Sequence, residues 1–270
     1  MTALPVRLPL PELWERRLDA VHFAFQPIVR ADDLRVDGVE ALLRGVDKAG
    51  FRAIPDLFDQ AHADGVLHIF DVALRHKLLW KSAPLLRRYQ KRLFYNLDTR
   101  CVVDVDEQAE CTAKLLAAVG LDAHQVCLEI SEQHQLIPAR HVAATLELYR
   151  SQGYSVALDD YGVGYGQLRS LFLTSPDVLK IDRFFIAQVD RDPKRRLFLR
   201  RLCEFGSELG ATVVAEGVET REELDVCREV GADLLQGFGI LRPQLSLEYA
   251  ITWAPFRPNR DDVQYQAVAP

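Results

Sequence analysis

Apolar positions along this 270-residue chain fall into two periods. Short runs rich in β-branched and aromatic residues recur at strand length. Most are followed by a stretch whose apolar residues lie three and four apart, the spacing of one helical face. Strands are expected at 22–29 (HFAFQPIV), 37–45 (DGVEALLRG), 92–98 (RLFYNLD), 125–131 (QVCLEIS), 155–160 (SVALDD), 177–182 (DVLKID), 212–218 (TVVAEGV) and 233–240 (DLLQGFGI). Helices are expected at about 55–64, 67–88, 107–119, 138–152, 166–173, 186–209, 219–230 and 245–252. Thr220-Arg221-Glu222-Glu223 and Ser131-Glu132 read as helix starts, and Gly120, Gly153, Gly210 and Gly231 as stops.

Only a short polar turn around Ala31-Asp32-Asp33 separates the first two strands, so they are expected to form an antiparallel hairpin. The rest alternates strand and helix, as a parallel sheet requires. Eight strands in a chain of this length point to an α/β fold, a modified TIM (β/α)8 barrel with an antiparallel first strand. A doubly wound open sheet is the architectural alternative. No linker or repeat divides the chain; the polar segment 256–270 is expected to be a frayed tail.

Polar residues interrupt these strands, most of them near the C-terminal ends: Glu40, Asn96, Glu129, Asp159, Asp160, Lys180, Glu216 and Gln236. In a (β/α) barrel those ends surround one mouth, where active sites of the fold are built. Singly, each has an ordinary explanation: Glu40 could pair with Arg44, and a strand-end Asn, Lys or Gln often anchors a loop. Jointly they imply a shared polar site. Converging buried carboxylates repel one another and either take up protons or recruit cations. An oxygen-rich set without a Cys or His cluster favours a hard ion, Mg²⁺, Mn²⁺ or Ca²⁺, over zinc.

The stretch 162–167, GVGYGQ, fails the dinucleotide-binding fingerprint because Gln167 occupies the third glycine position, and it is no P-loop. Lys and Arg number 33 against 39 Asp and Glu, a net charge of −6, so sequence-independent binding to duplex nucleic acid is not expected. Five scattered cysteines, with no C-x-x-C pair, read as reduced core thiols of a cytoplasmic protein. No export signal or membrane span is evident.

In order and spacing, FQPIV, VEALLR, YNLD, LEIS, LDDYGVGYGQL, LKID, VAEGVET and LLQGF resemble the EAL domain, the bacterial cyclic di-GMP phosphodiesterase family. The resemblance implies an N-terminal extension over 1–14 and an EAL domain over 15–255, as a stand-alone EAL protein. It implies hydrolysis of cyclic di-GMP to linear pGpG with two Mg²⁺ or Mn²⁺ ions, and a homodimer, with a regulatory protein partner as a further expectation. By the same resemblance Glu40, Asn96, Glu129, Asp159 and Asp160 are metal ligands, Asp159 bridging the two ions. Glu216 corresponds to the acidic residue proposed as base and Lys180 to the lysine beside the nucleophilic water. Gln26, Arg44 and Gln236 correspond to residues that contact substrate, with Asp71 and Phe238 as candidates for the guanine edge and face. Glu219 matches a residue that anchors the loop after the paired aspartates. That loop departs from the family's usual DDFGTGYSSL at Tyr161, Val163, Gly166 and Gln167; Val163 removes one anchoring hydrogen bond, worth about 0.5–1.5 kcal/mol. A cyclic di-GMP receptor without catalysis and a barrel metallohydrolase acting on another phosphodiester are the competing functions.

Overall fold

Eight strands close into a barrel in chain order, β1 (His22–Arg30), β2 (Val36–Arg44), β3 (Arg92–Asn96), β4 (Val126–Ile130), β5 (Ser155–Tyr161), β6 (Val178–Ile181), β7 (Thr212–Ala215) and β8 (Leu234–Leu235). β1 runs antiparallel to both of its neighbours, β2 and β8, and every other pair is parallel. The computed structural model describes residues 10–103, 105–131, 139–162 and 167–254. The helices around the barrel are α1 (Glu12–Ala20), α2 (Ile54–Ala63), α3 (Leu67–Tyr89), α4 (Val105–Val119), α5 (Ala139–Ser151), α6 (Gln167–Thr174), α7 (Arg183–Ile186), α8 (Pro193–Glu208), α9 (Arg221–Glu229) and α10 (Leu247–Thr252). This is the modified TIM barrel expected from the alternation of periods; the open sheet is excluded by the β1–β8 pairing.

The barrel interior is filled in two levels. Ile28, Phe94, Cys127, Ala157, Val178, Val214 and Leu234 form a small apolar cluster of their own, apart from the larger core between strands and helices. Gly38 completes that level because Phe94 fills its side-chain space; a Cβ there would stand 2.8 Å from the ring. Side chains two residues apart share a strand face. One step further toward the mouth, the same faces therefore carry Gln26, Glu40, Asn96, Glu129, Asp159, Lys180, Glu216 and Gln236. Gln26 belongs to this level despite preceding Ile28, because β1 is reversed and pairs Gln26 with Glu40. An apolar floor thus lies directly beneath a polar layer.

Three expectations change. Residues 12–20 form α1, which buries Trp14 and Leu18, where no helix was assigned. The expected helix 186–209 begins only at Pro193, as α8, while Ile186 ends the separate short helix α7. Pro193 cannot continue a helix from Asp192, and the Asp192 carboxylate instead accepts hydrogen bonds from the Lys194 and Arg195 amides (2.9 and 3.2 Å). The expected strand 233–240 keeps only two residues, since the chain turns back and the Gly239 amide donates to the Val218 carbonyl (2.9 Å). The start at Ser131-Glu132 and the tail 256–270 fall largely or wholly outside the described residues.

Thr220 caps α9 with the capping box its sequence suggested, and Gly120, Gly153, Gly210 and Gly231 all take positive φ at helix ends. Cys101, Cys127, Cys203 and Cys227 are free buried thiols, Cys203 being pushed up to about 12 chiefly by burial. Among the described residues, no helix is long and apolar enough to cross a membrane.

Candidate metal and active site

Lys180 is the hub of the polar layer. Its Nζ lies 2.6 Å from Glu129 Oε1, 2.7 Å from Glu216 Oε1, 3.0 Å from Asp159 Oδ1 and 3.5 Å from Glu40 Oε2, with the lysine side chain only 1% exposed. These contacts join β2, β4, β5, β6 and the end of β7. Asn96, at the end of β3, donates through Nδ2 to Glu40 Oε1 (3.0 Å) and Glu129 Oε2 (3.2 Å). Gln236, just past β8, donates from Nε2 to Glu40 Oε2 (2.7 Å). Every strand from β2 to β8 therefore supplies one member of a connected cluster.

Two adjacent aspartates on one strand ordinarily point to opposite faces. β5 avoids this with a bulge: Leu158 pairs with Leu179 and Tyr161 with Ile181, so three steps of β5 match two of β6. Asp160 takes φ 54 within the bulge, a left-handed conformation that Asp tolerates better than most residues. Asp159, Asp160 and Glu216 consequently offer carboxylate oxygens within 4.8 Å of one another.

The electrostatics favour the uptake of protons or of cations. Burial, and then the Glu40 carboxylate, raise Glu129 well above the ordinary carboxylate range. Burial, and then Asp159, do the same to Glu216. Burial alone would depress Lys180, but Asp159, Glu129, Glu216 and Glu40 outweigh it and hold the lysine charged. With every carboxylate ionised, five against one ammonium carry a formal charge of −4, which two divalent cations would cancel. Glu129 Oε1 and Asp159 Oδ1 share the single Lys180 ammonium, and Gln236 Oε1 is buried without any donor. This surplus of hard oxygen acceptors fits Mg²⁺, Mn²⁺ or Ca²⁺.

The remaining candidates separate. Gln26 lies across from Glu40 and donates to the Leu241 carbonyl (3.2 Å). Arg44 sits at the rim, its Nη1 donating to the Leu43 carbonyl (2.8 Å), and Glu40 is engaged by Lys180, Asn96 and Gln236. Phe238 is an exposed aromatic rather than a core one, 47% accessible, with the Arg242 guanidinium 4.4 Å above its ring.

Asp71 does not reach the mouth. It is fully buried outside the barrel wall, accepting from the Tyr95 hydroxyl (2.8 Å) and from Arg75 Nη2 (2.7 Å). Tyr95 points there because its neighbours Phe94 and Asn96 point inward. Asp71→Asn is expected to cost about 2 kcal/mol of stability in urea unfolding, because it weakens a charged network around buried Arg75. A guanine contact would instead raise KM at unchanged stability.

Glu219 pairs in a bidentate manner with Arg183 of α7. The loop it was expected to anchor, with Val163 and Gly166, lies outside the described residues, as does the side chain of Gln167. Arg183 was missed by sequence reasoning; its position directly after LKID was the available signal.

The EAL domain family model matches residues 12–243, and the chain belongs to that family. An uncharacterized protein of Azorhizobium caulinodans is 32% identical over 244 residues, covering 87% of this chain and 33% of that protein. Cyclic di-GMP phosphodiesterase PA2567 of Pseudomonas aeruginosa is 28% identical over 232 residues, covering 84% of this chain and 39% of that protein. This chain thus spans well under half the length of both. The calcium/cy-diGMP complex of Klebsiella pneumoniae BlrP1 superposes with a TM-score of 0.74 at 27% identity, over 88% of this chain and 62% of that one. A manganese/cy-diGMP complex of the same protein gives a TM-score of 0.73 at 28% identity, over 83% of this chain and 56% of that one.

Proposed function

We propose that this protein is a metal-dependent phosphodiesterase that hydrolyses cyclic di-GMP to linear pGpG. One observation carries the reading: five carboxylates, two amides and a single lysine converge on the barrel mouth, so that acidic groups outnumber the one cation among them five to one. A negatively charged mouth is unsuited to a phosphodiester until cations occupy it, which agrees with one relative named for this substrate and with the calcium/cy-diGMP and manganese/cy-diGMP complexes of another protein of similar fold.

Glu40, Asn96, Glu129, Asp159 and Asp160 would hold two Mg²⁺ or Mn²⁺ ions. When bound, such a pair activates water and stabilises the entering and leaving oxygens of an in-line displacement. Glu216 takes a proton from the attacking water as its oxygen bonds to phosphorus. The P–O3′ bond breaks and the departing oxygen takes a proton from solvent. Lys180, charged and fixed by its carboxylates, offsets negative charge on the phosphoryl oxygens. Gln236 orients Glu40 through its amide, and Gln26 and Arg44 border the place for the nucleotide, Arg44 being suited to a phosphate oxygen.

Phe238 offers a face for a guanine base. Phe238→Ala is expected to raise KM about tenfold with kcat within a factor of about two, since stacking is worth roughly 1–3 kcal/mol per base and is equal in ground and transition states. Steady-state kinetics check this. The same reading includes a homodimer, for which exposed Leu168 and Phe172 on α6 and Phe198 and Phe205 on α8 offer apolar area.

A further inference from the structure

The acidic trio Asp159, Asp160 and Glu216 is drawn from two strand ends that do not neighbour each other, with β6 between them. The segment immediately after β6 touches both exits. Its first residues are fixed by the ladder, the Asp182 amide donating to the Tyr161 carbonyl (3.1 Å) and the Glu216 amide to the Ile181 carbonyl (3.0 Å). α7 then begins on an Asp182 cap, whose Oδ1 accepts from the Phe184 amide (2.7 Å).

From α7, Phe185 lies against Gly162, the second residue after Asp160. Gly162 has φ 117, and a Cβ there would overlap the phenyl ring. The Arg183 stem lies against Gly217, the residue after Glu216, which has φ 72; a Cβ there would stand 2.5 Å from Arg183 Cβ. The Arg183 guanidinium continues to Glu219. Just beyond, the Gln188 amide donates to Glu223 Oε1 (2.8 Å), whose other oxygen accepts from the amides of Glu219 (2.9 Å) and Thr220 (3.2 Å). On its outer side Phe185 stacks with Phe198 of α8, centroids 6.2 Å apart and planes 22° apart.

We propose that residues 183–188 clamp the two strand exits, and that Phe185 is a positioning residue that sets Asp159 and Asp160 against Glu216. Asp160 occupies a left-handed conformation in a bulge, so its backbone holds only if the surroundings define it. Phe185 is the side chain that fills the space above Gly162, where any other residue type would exclude it. Loss of the ring lets the 160–162 backbone relax, and the acidic oxygens spread. The inference rests on the metal-dependent reading, and the following experiment separates the two.

Mn²⁺ is titrated into metal-free protein without nucleotide, and the free ion is followed by electron paramagnetic resonance. Removing a group that orients metal ligands typically costs about 10–100-fold in affinity. Phe185→Ala is expected to weaken Mn²⁺ binding by about tenfold or more, with melting temperature and circular dichroism close to wild type. Leu209→Ala, which trims an exposed apolar side chain after α8 and outside residues 183–188, is expected to bind as wild type. Phe185→Leu keeps apolar bulk and decides the matter should the alanine variant fail to fold; its expected loss is severalfold. Wild-type affinity in both folded Phe185 variants overturns the clamp while leaving the metal site standing. Failure of the wild-type protein to bind Mn²⁺ overturns the metal-dependent reading and the clamp with it.

Discussion

Replacing Lys180 by methionine is expected to lower the melting temperature of the metal-free protein by roughly 10 °C, and divalent cations are expected to restore much of it. The ammonium is the cation that four carboxylates share, at 2.6–3.5 Å, in a setting that is almost wholly buried. Removing one side of a buried ion cluster costs about 3–5 kcal/mol, because the other side stays buried and uncompensated. For a domain of this size each kcal/mol corresponds to about 2–4 °C. A ligand that binds only the folded state adds stability by mass action, so Mn²⁺ should raise the variant's melting temperature by more than the wild type's. Differential scanning calorimetry in chelator and in Mn²⁺ gives both numbers. An unchanged melting temperature in chelator would mean that Lys180 is not the counterion of the cluster.

The second large effect is on catalysis. Glu40→Gln preserves volume but removes the charge of the carboxylate that Asn96 and Gln236 hold in place. Hydrolysis is expected to fall by at least about a thousandfold, roughly 4 kcal/mol in the barrier. Binding of cyclic di-GMP is expected to change by only a fewfold. The metal-free variant should be as stable as wild type or more so, because one of several repelling buried carboxylates is gone. Stability and activity thus move in opposite directions, as they do where a site stores electrostatic strain. Product formation by liquid chromatography, together with a melting curve, checks the pair of outcomes.

The floor and the polar layer were legible because strand faces repeat every two residues. Phe94 and Asn96, Cys127 and Glu129, and Val178 and Lys180 are pairs that any reading of period two places on one face. The order of strands and the reversal of β1 followed from loop lengths. The bulge at Asp160 was not legible: nothing in Asp159-Asp160 alone says which would break the alternation, and pairing with β6 decides it. Asp71 is a helix residue whose contact with Tyr95 depends on how α3 packs on β3, a tertiary matter that local pattern does not contain. The break between α7 and α8 was available in Asp192-Pro193, a capping residue before a residue without an amide proton, and periodicity alone overlooked it. The role of 183–188 emerged only once Gly162 and Gly217 were seen to face the same short helix.

The central claim is tested most directly by incubating the purified protein with cyclic di-GMP and either Mg²⁺ or Mn²⁺ and separating the nucleotides. The account predicts conversion to pGpG with metal and none in chelator. Bound cyclic di-GMP that is recovered intact with both metals would contradict it.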